Sequence, residues 1–167
     1  YILLHSDRTS EHNRLKNLGY EPLSKDCNAK NLSLLLHNKE RNIKNVLMDQ
    51  RIIAGLGNIY VCEALFKSGI SPLLSAKRLV NKDKTPKKAL NFLIKNIKKI
   101  IESSIMLGGS SLRDYVNTQG KMGYFQSKFN VYGRDGKECI SKSCSSKITR
   151  IVQSNRSTFF CPSCQKK

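Results

Sequence analysis

The chain has 167 residues, enough for one or two small domains but too few for a large multidomain assembly. Its 39% hydrophobic and 25% charged residues exclude a wholly disordered chain, and no apolar run approaches the roughly 20 residues of a membrane-spanning helix. The chain has 30 lysines and arginines and 12 acidic residues, so its formal charge is +18. Such a charge favours nucleic acid as the partner. A lysine-rich codon usage is the alternative source of part of this excess.

Helices separated by short turns are predicted for the first part of the chain. Leucines at helical spacing predict a helix over about 29–38, and apolar residues predict another over 46–53 that ends at Gly55-Leu56-Gly57. Asn58 has the side chain of a good helix N-cap, so a third helix is expected to begin there and to end at Ser68-Gly69.

Two prolines indicate further helix starts, a short helix at Ser71-Pro72 and a long one at Thr85-Pro86. The long helix carries an apolar stripe from Leu90 to Ile105 at three- and four-residue steps, which we expect in the core. Its opposite face is rich in lysine and is expected in solvent, with a DNA-contact surface as the alternative. Gly108-Gly109 should end this helix.

The last third of the chain predicts loops and strands. The Gly- and Ser-rich stretch 110–136 is expected to form a long loop that leads to a short strand around 129–133. Two β-favouring runs, KITRIVQ and STFF, flank the polar Ser154-Asn155-Arg156 and predict a hairpin with Arg156 at its tip. At the other end, the opening YILLHS favours an edge strand of a larger sheet.

Four of the six cysteines lie within the last 29 residues and predict one local metal site. Two close pairs of thiolates are the ligand set of tetrahedral Zn²⁺, and four protein ligands leave no open position, so one structural zinc ion is expected. Disulfides are the alternative. The predicted ligands are Cys139, Cys144, Cys161 and Cys164. Cys27 and Cys62 are expected to be packing residues.

Two features could bind phosphate, and the residues alone leave both open. The glycine turn before Asn58 exposes free N–H groups of the next helix, but the residues alone favour a plain helix connector, which needs no function. Arg156 at the hairpin tip could grip a phosphate or be an ordinary surface arginine. His5, His12 and His37 are scattered, so no catalytic group emerges from the pattern of residues alone.

Four strings occur in order along the chain: KNVLMDQRIIAGLGNIYVCEALFKSGISP, GGSSLRDYVNTQGKMGYFQ, FNVYGRDGKEC and NRSTFFCPSCQ. Together they resemble the formamidopyrimidine-DNA glycosylase family over nearly the whole chain. The resemblance implies an α+β fold, mainly a helical helix-two-turn-helix DNA-binding domain followed by a β-hairpin four-cysteine zinc finger. It also implies three parts: a remnant of an amino-terminal β-domain with its linker (1–28), the helical domain with a lesion-closing loop (29–130) and the zinc finger (131–167).

The family implies a function in DNA base-excision repair. Its members flip oxidised purines such as 8-oxoguanine or formamidopyrimidines out of the duplex, cut the glycosidic bond and cleave the abasic strand by β,δ-elimination. The expected partner is double-stranded DNA carrying oxidised purines or abasic sites, and not a membrane. A monomer in the bacterial cytoplasm, associated with the nucleoid, is expected.

The resemblance also assigns roles to residues of this chain. Lys44, Asn58 and Tyr132 match phosphate contacts. Arg156 matches the arginine that holds the phosphates of the flipped nucleotide and is the catalytic proton donor for δ-elimination. Arg113 and Tyr115 match the loop that closes over the flipped base.

Three departures from the family pattern bear on function. The family's nucleophile is an amino-terminal proline followed by glutamate, whereas this chain begins Tyr1-Ile2, so the chain alone is expected to lack glycosylase activity. Cys139 and Cys144 are separated by four residues where the family has two, and Glu40 stands where the family tends to be basic. The alternatives are a non-catalytic, zinc-dependent DNA-binding protein from a split or truncated gene, and an RNA-binding zinc-ribbon module.

Overall fold

The computed structural model describes residues 16–109 and 124–166. Their elements in chain order are α1 (Ala29–Leu36), α2 (Ile43–Leu47), α3 (Asn58–Lys67), a 3₁₀ turn (Ala76–Leu79), α4 (Lys88–Met106), a 3₁₀ turn (Phe125–Lys128), β1 (Thr149–Gln153) and β2 (Arg156–Phe160). Helices therefore come first and an antiparallel hairpin last, which confirms the predicted α+β class. No helix among these residues is long and apolar enough to cross a membrane. The predicted opening strand at 1–6 lies outside the described residues.

α1 begins as its sequence suggests and ends two residues before the predicted limit of 38. The Asn28 side chain caps it by accepting the backbone N–H of Asn31 at 2.9 Å. Leu32 and Leu36 are fully buried and pack it into the helical core, so the leucine spacing predicted both the helix and its inner face.

The prediction of a helix over 46–53 is wrong in its extent, because α2 covers Ile43–Leu47 and ends there. The Asp49 carboxylate accepts the backbone N–H of Arg51 at 3.1 Å, a local turn that competes with helical hydrogen bonding. The side chain of Gln50 then closes the following turn by accepting the N–H of Gly55 at 2.7 Å. Ile52 stays buried without being helical, so apolar content misled the prediction here.

Prolines predicted helix starts less well. No α-helix begins at Pro72, and the residues that follow form only the short 3₁₀ turn. α4 begins at Lys88, two residues after Pro86, with Lys87 as its N-cap. The strand predicted around 129–133 is also absent, because its backbone N–H groups bond to a side chain of α3 instead of to a neighbouring strand.

α4 is the long amphipathic helix that its periodicity predicts, and most of its apolar stripe is core. Leu90, Leu93 and Ile97 are fully buried. Ile105 is 64% exposed, which contradicts the prediction for the end of the stripe. Near this end the side chain that faces the core is that of Ser104, whose hydroxyl bonds to Tyr60 of α3 at 2.7 Å. The next residue, Ile105, therefore points to solvent. The lysine face is exposed as expected at Lys87, Lys88, Lys95 and Lys99.

The hairpin is confirmed, and its turn chemistry explains it. Ser154 and Asn155 both have positive φ, 47° and 58°, the signature of a two-residue type I′ turn that matches the twist of paired strands. Residue pairs run from Thr149 opposite Phe160 to Gln153 opposite Arg156. Arg156 is therefore the first residue of β2, at the turn end of the hairpin.

Gly19→Ala is expected to destabilise the protein by about 1–3 kcal/mol, the usual cost of overpacking. The N–H of Gly19 donates to Gln50 O at 2.8 Å, and a Cβ at this position would collide with the backbone carbonyl of Ile52. The measurement is the free energy of unfolding by urea. Gly57→Ala is the control for the clash, since a Cβ there meets nothing within 4 Å; only the preference of the N-cap of α3 for glycine over alanine counts against it, so we expect a smaller loss than for Gly19→Ala. Equal stability of both variants would contradict the prediction.

Candidate nucleic-acid interface and metal centre

A cavity of about 470 Å³ lies between α2, the turn before α3 and the tip of the hairpin. Among the described residues, its lining contains four basic side chains and one acidic side chain: Arg41, Lys44, Arg51, Arg156 and Asp49. Gly57, the N-cap of α3, also lines it, so the unbonded N–H groups of the first turn of that 10-residue helix lie at its edge. The cavity therefore attracts anions.

The negative charge of Asp49, the acidic side chain at the cavity, is balanced by an ion pair with Arg51. Arg51 donates from Nε to Asp49 Oδ1 at 2.9 Å and from Nη2 to Oδ2 at 2.7 Å. These hydrogen bonds lower the pKa of the Asp49 carboxyl to about 2, so it stays ionised and paired above that pH. The other charged side chains that line the cavity in the described part of the chain, Arg41, Lys44 and Arg156, are all positive.

Lys44 is the unusual charge of the cavity, because only 1% of the residue is exposed. Among residues 16–109 and 124–166 it forms no ion pair. Burial lowers the pKa of its ammonium group, and the nearby charge of Arg156 lowers it further. A desolvated lysine without a carboxylate partner is costly in the free protein, and an anion entering the cavity would compensate it.

Asn58 does not cap α3, which corrects the sequence prediction. Gly57 takes the N-cap position, and Asn58 is the first helical residue. Its Nδ2 donates to the carbonyl of Ser157 in β2 at 2.9 Å and lies 3.5 Å from the Tyr132 hydroxyl. Its Oδ1 is buried and has no hydrogen-bond partner among the residues that the structure describes. Freed from capping, this side chain joins the helical part to the hairpin.

The structure therefore gathers the sequence-predicted DNA contacts that it describes into two adjoining groups. Lys44 and Arg156 line the cavity, while Asn58 lies beside Tyr132 and hydrogen-bonds the residue after Arg156. Arg113 and Tyr115 lie outside the described residues.

The four predicted ligand cysteines come together at the base of the hairpin. All four Sγ atoms lie within 4.8 Å of one another, with 3.7 Å between Cys139 and Cys164 and 3.6 Å between Cys144 and Cys161. Sulfurs at about 2.3 Å from a tetrahedral zinc ion are about 3.8 Å apart, whereas a disulfide needs about 2.05 Å. The cluster therefore fits one structural Zn²⁺ and not two disulfides.

The longer first knuckle does not displace its ligands. The backbone N–H of Cys139 donates to Ser146 O, and that of Cys144 donates to Ser141 O, each at 2.9 Å. These hydrogen bonds fix the loop of four residues between the two cysteines. The backbone N–H of Ser146 lowers the pKa of the Cys144 thiol, whereas burial raises that of Cys164. Metal binding requires all four as thiolates.

The metal-binding segment is attached to the helical part by contacts that the sequence analysis missed. Gln165 is 3% exposed; its Nε2 donates to Ile70 O at 2.8 Å and its Oε1 accepts the N–H of Cys161 at 2.9 Å. Lys166 exchanges backbone hydrogen bonds with the segment after α3, to Gly69 O and from Ser71 N. A glutamine next to a ligand cysteine carries no signal that sequence patterns could have used.

A second residue that the sequence analysis missed is Glu63, an acid with 1% exposure in the middle of α3. Its signal was weak: one acidic residue between Cys62 and Ala64 on an apolar helix face. The expected packing roles of Cys27 and Cys62 are confirmed, since one lies in the helical core and the other in the core of the finger.

Comparisons with known proteins agree with this geometry. The family model "Formamidopyrimidine-DNA glycosylase H2TH domain" matches residues 18–116, and the model "Zinc finger found in FPG and IleRS" matches 136–167. A formamidopyrimidine-DNA glycosylase of Bartonella quintana is 50% identical over 99% of this chain and 56% of its own length. A formamidopyrimidine-DNA glycosylase of Sinorhizobium fredii is 48% identical over 98% of this chain and 55% of its own length. The chain thus spans about half the length of these curated relatives.

Solved structures show the same likeness. A Lactococcus lactis Fpg bound to DNA with an abasic site superposes with a TM-score of 0.79, at 36% identity over 91% of this chain and 53% of that one. A MutM complex with DNA containing carbocyclic 8-oxo-G superposes with a TM-score of 0.82, at 34% identity over 97% of this chain and 56% of that one. With the glycosylase H2TH model covering more than half of its residues and the finger model most of the rest, this chain belongs to the formamidopyrimidine-DNA glycosylase family.

Proposed function

We propose that this chain is the damaged-DNA-binding part of a bifunctional DNA glycosylase and abasic-site lyase that acts on oxidised purines in base-excision repair. The observation that carries the proposal is the convergence of Lys44, the N-terminus of α3 and Arg156 on one cavity. These groups come from distant parts of the chain, and they offer a buried ammonium, free backbone N–H groups and a guanidinium, which are the donors that bind phosphate.

The roles proposed for single residues follow from this placement and from the family resemblance. Lys44 and the first turn of α3 hold one backbone phosphate, and the side chains of Asn58 and Tyr132 contact a neighbouring one. Arg156, exposed at the start of β2, grips the phosphates of the flipped nucleotide and donates the proton in δ-elimination. Arg113 and Tyr115 are proposed to close over the flipped base.

The DNA bound in two of the similar structures supports the choice of substrate. One is a complex with abasic-site DNA and another a complex with 8-oxo-G-containing DNA. For the whole protein we propose removal of 8-oxoguanine and formamidopyrimidines followed by β,δ-elimination, with the bond-breaking nucleophile supplied by an amino-terminal proline. The 167 residues contain no Pro-Glu pair, so we expect them to bind damaged DNA without cutting it.

The division into parts at 1–28, 29–130 and 131–167 is proposed on the same grounds. Two separate apolar clusters support the second boundary: Phe125 belongs to the helical cluster and Val131 to the cluster around the cysteines. Cys139, Cys144, Cys161 and Cys164 would hold one Zn²⁺, which would supply a fixed cross-link at the base of the hairpin. We propose a monomer that acts in the bacterial cytoplasm on nucleoid DNA.

Arg156→Ala is expected to weaken binding to a duplex with an abasic-site analogue by about 10-fold or more, since a charge-assisted hydrogen bond contributes about 1.5–3 kcal/mol. The measurement is fluorescence anisotropy of the labelled duplex across a salt series, where the slope of log affinity against log salt should also become shallower. A shallower slope shows that a phosphate contact was lost.

Arg150→Ala is the matched control for Arg156→Ala. Arg150 is exposed on β1 of the same hairpin and donates to the Ser157 hydroxyl at 3.0 Å, away from the cavity lining. We expect the affinity of Arg150→Ala for the abasic-site duplex to remain within about threefold of that of the unchanged protein. Equal affinities for all three proteins would refute the cavity as the phosphate site, and tighter binding to structured RNA than to duplex DNA would favour the RNA-binding alternative.

A further inference from the structure

Glu63 is a buried acid that the DNA contacts proposed above do not use. It lies in the middle of α3 with 1% exposure, and among the described residues no lysine or arginine forms an ion pair with it. A buried carboxylate without compensation is strongly unfavourable. Its partners must therefore be polar groups of the protein.

The partners of the Glu63 carboxylate are consecutive backbone N–H groups of one loop. Its Oε1 accepts the N–H groups of Asn130, Val131 and Tyr132 at 3.0, 2.9 and 3.0 Å. Its Oε2 accepts the N–H of Asn130 at 2.9 Å and its Nδ2 at 2.6 Å. Successive N–H groups that point at one anion form a nest, a concave site for negative charge, here filled from within the protein.

This nest decides the path of the loop that carries Tyr132. The segment was predicted to be a strand, yet its N–H groups turn towards α3. The Tyr132 ring packs edge-on to Phe129 at 5.7 Å and tilted on Phe159 at 4.9 Å. Its hydroxyl ends 3.5 Å from Nδ2 of Asn58. α3 therefore holds this tyrosine at both ends: Glu63 binds its backbone, and Asn58 lies beside its hydroxyl.

We propose that Glu63 is a positioning residue for DNA binding, whose carboxylate shapes the backbone of 130–132 and thereby places the Tyr132 hydroxyl beside Asn58 for a shared phosphate contact. The inference rests on the proposed DNA-binding function. A negative charge at this point of a basic protein weakens its attraction for DNA at long range, and the nest accounts for its presence. Glu63 acts through Tyr132 and does not itself touch the DNA.

The first test is Glu63→Ala in the zinc-loaded full chain, with binding to an abasic-site duplex measured by anisotropy. We expect the dissociation constant to rise about 10-fold, because three N–H groups lose their acceptor. The truncation leaves a polar space of about the size of a small carboxylate. Formate should therefore restore much of the affinity of Glu63→Ala, whereas chloride at the same ionic strength should not, and neither should improve the unchanged protein.

A double-mutant cycle separates positioning from general stability. Tyr132→Phe should weaken binding by removing the hydroxyl, and Glu63→Ala combined with Tyr132→Phe should bind no more weakly than Glu63→Ala alone. If the two losses add fully and formate has no effect, Glu63 is only a packing residue and the inference is overturned.

Glu63→Gln decides the question if the alanine variant does not fold. It keeps the size of the side chain and one carbonyl oxygen but has no charge, and we expect a folded protein with intermediate affinity. Affinity equal to that of the unchanged protein would overturn the inference. Failure of the proposed function would look different, because Arg156→Ala would then also leave duplex binding unchanged.

Discussion

Replacing Cys161 by serine, or removing zinc with a chelator, will weaken binding to an abasic-site duplex by about 100-fold or more while leaving most of the helix content in place. The finger has only a small apolar cluster around its cysteines, and a structural zinc ion contributes about 10–16 kcal/mol of binding free energy to folding in such sites. Without it, β1 and β2 lose their support and Arg156 is no longer held at the cavity.

The helical part should survive this loss because it has its own core. Leu32, Leu93 and Ile97 are fully buried in a cluster that contains none of the ligand cysteines. The measurements are zinc per chain, circular dichroism, amide exchange of the hairpin and duplex affinity. Exchange protection of β1 and β2 should disappear together with affinity.

Cys27→Ala is the matched control for the zinc prediction. Cys27 is also buried, but it lies in the helical core and outside the four-sulfur cluster. Its variant should still bind one zinc ion per chain and keep its affinity for DNA. Unchanged DNA binding by the zinc-free protein would mean that the finger does not position a DNA contact.

Lys44→Met will weaken duplex binding by about 10-fold or more and at the same time make the free protein more stable, by roughly 1 kcal/mol. The two effects have one cause. With 1% exposure and no ion pair among the described residues, the Lys44 ammonium is unfavourable in the free protein and favourable once a phosphate enters the cavity. Methionine removes the charge but keeps a flexible apolar chain.

The stability gain should depend on pH in a defined direction. Burial lowers the pKa of Lys44 from 10.5, so at pH values below the lowered folded-state pKa both states are protonated and the folded state carries the full penalty. As pH rises from the lowered folded value towards the unfolded value of about 10.4, the folded state loses its proton first and the unchanged protein gains stability. The advantage of Lys44→Met should therefore shrink through that window.

Urea unfolding at several pH values and duplex anisotropy measure both effects. Lys99→Met is the matched control, since it removes one charge from the exposed face of α4. We expect it to change stability by less than about 0.5 kcal/mol and affinity only slightly. A Lys44→Met protein that is less stable and binds DNA normally would show that Lys44 is a structural residue and not a phosphate ligand.

Local sequence patterns alone determined the zinc ligands, the hairpin and α4. The four cysteines occur in two close pairs, the Ser154-Asn155 turn joins two β-favouring runs, and α4 repeats apolar residues at helical spacing. Each of these features depends on residues that are close in the chain, which is the range that spacing and propensity describe. The ordered strings likewise identified the family before any geometry was known.

Tertiary structure decided the features that make up the site. Only long-range packing shows that Lys44 is buried at a cavity with Arg156, that Asn58 turns to the hairpin, and that Glu63 binds the loop at 130–132. The physical reason is that burial and hydrogen-bond partners depend on contacts across 67 or more residues of chain, for which local patterns carry no signal. Lys44 and Arg156 are far apart in the sequence, so only the folded chain shows that they line one cavity.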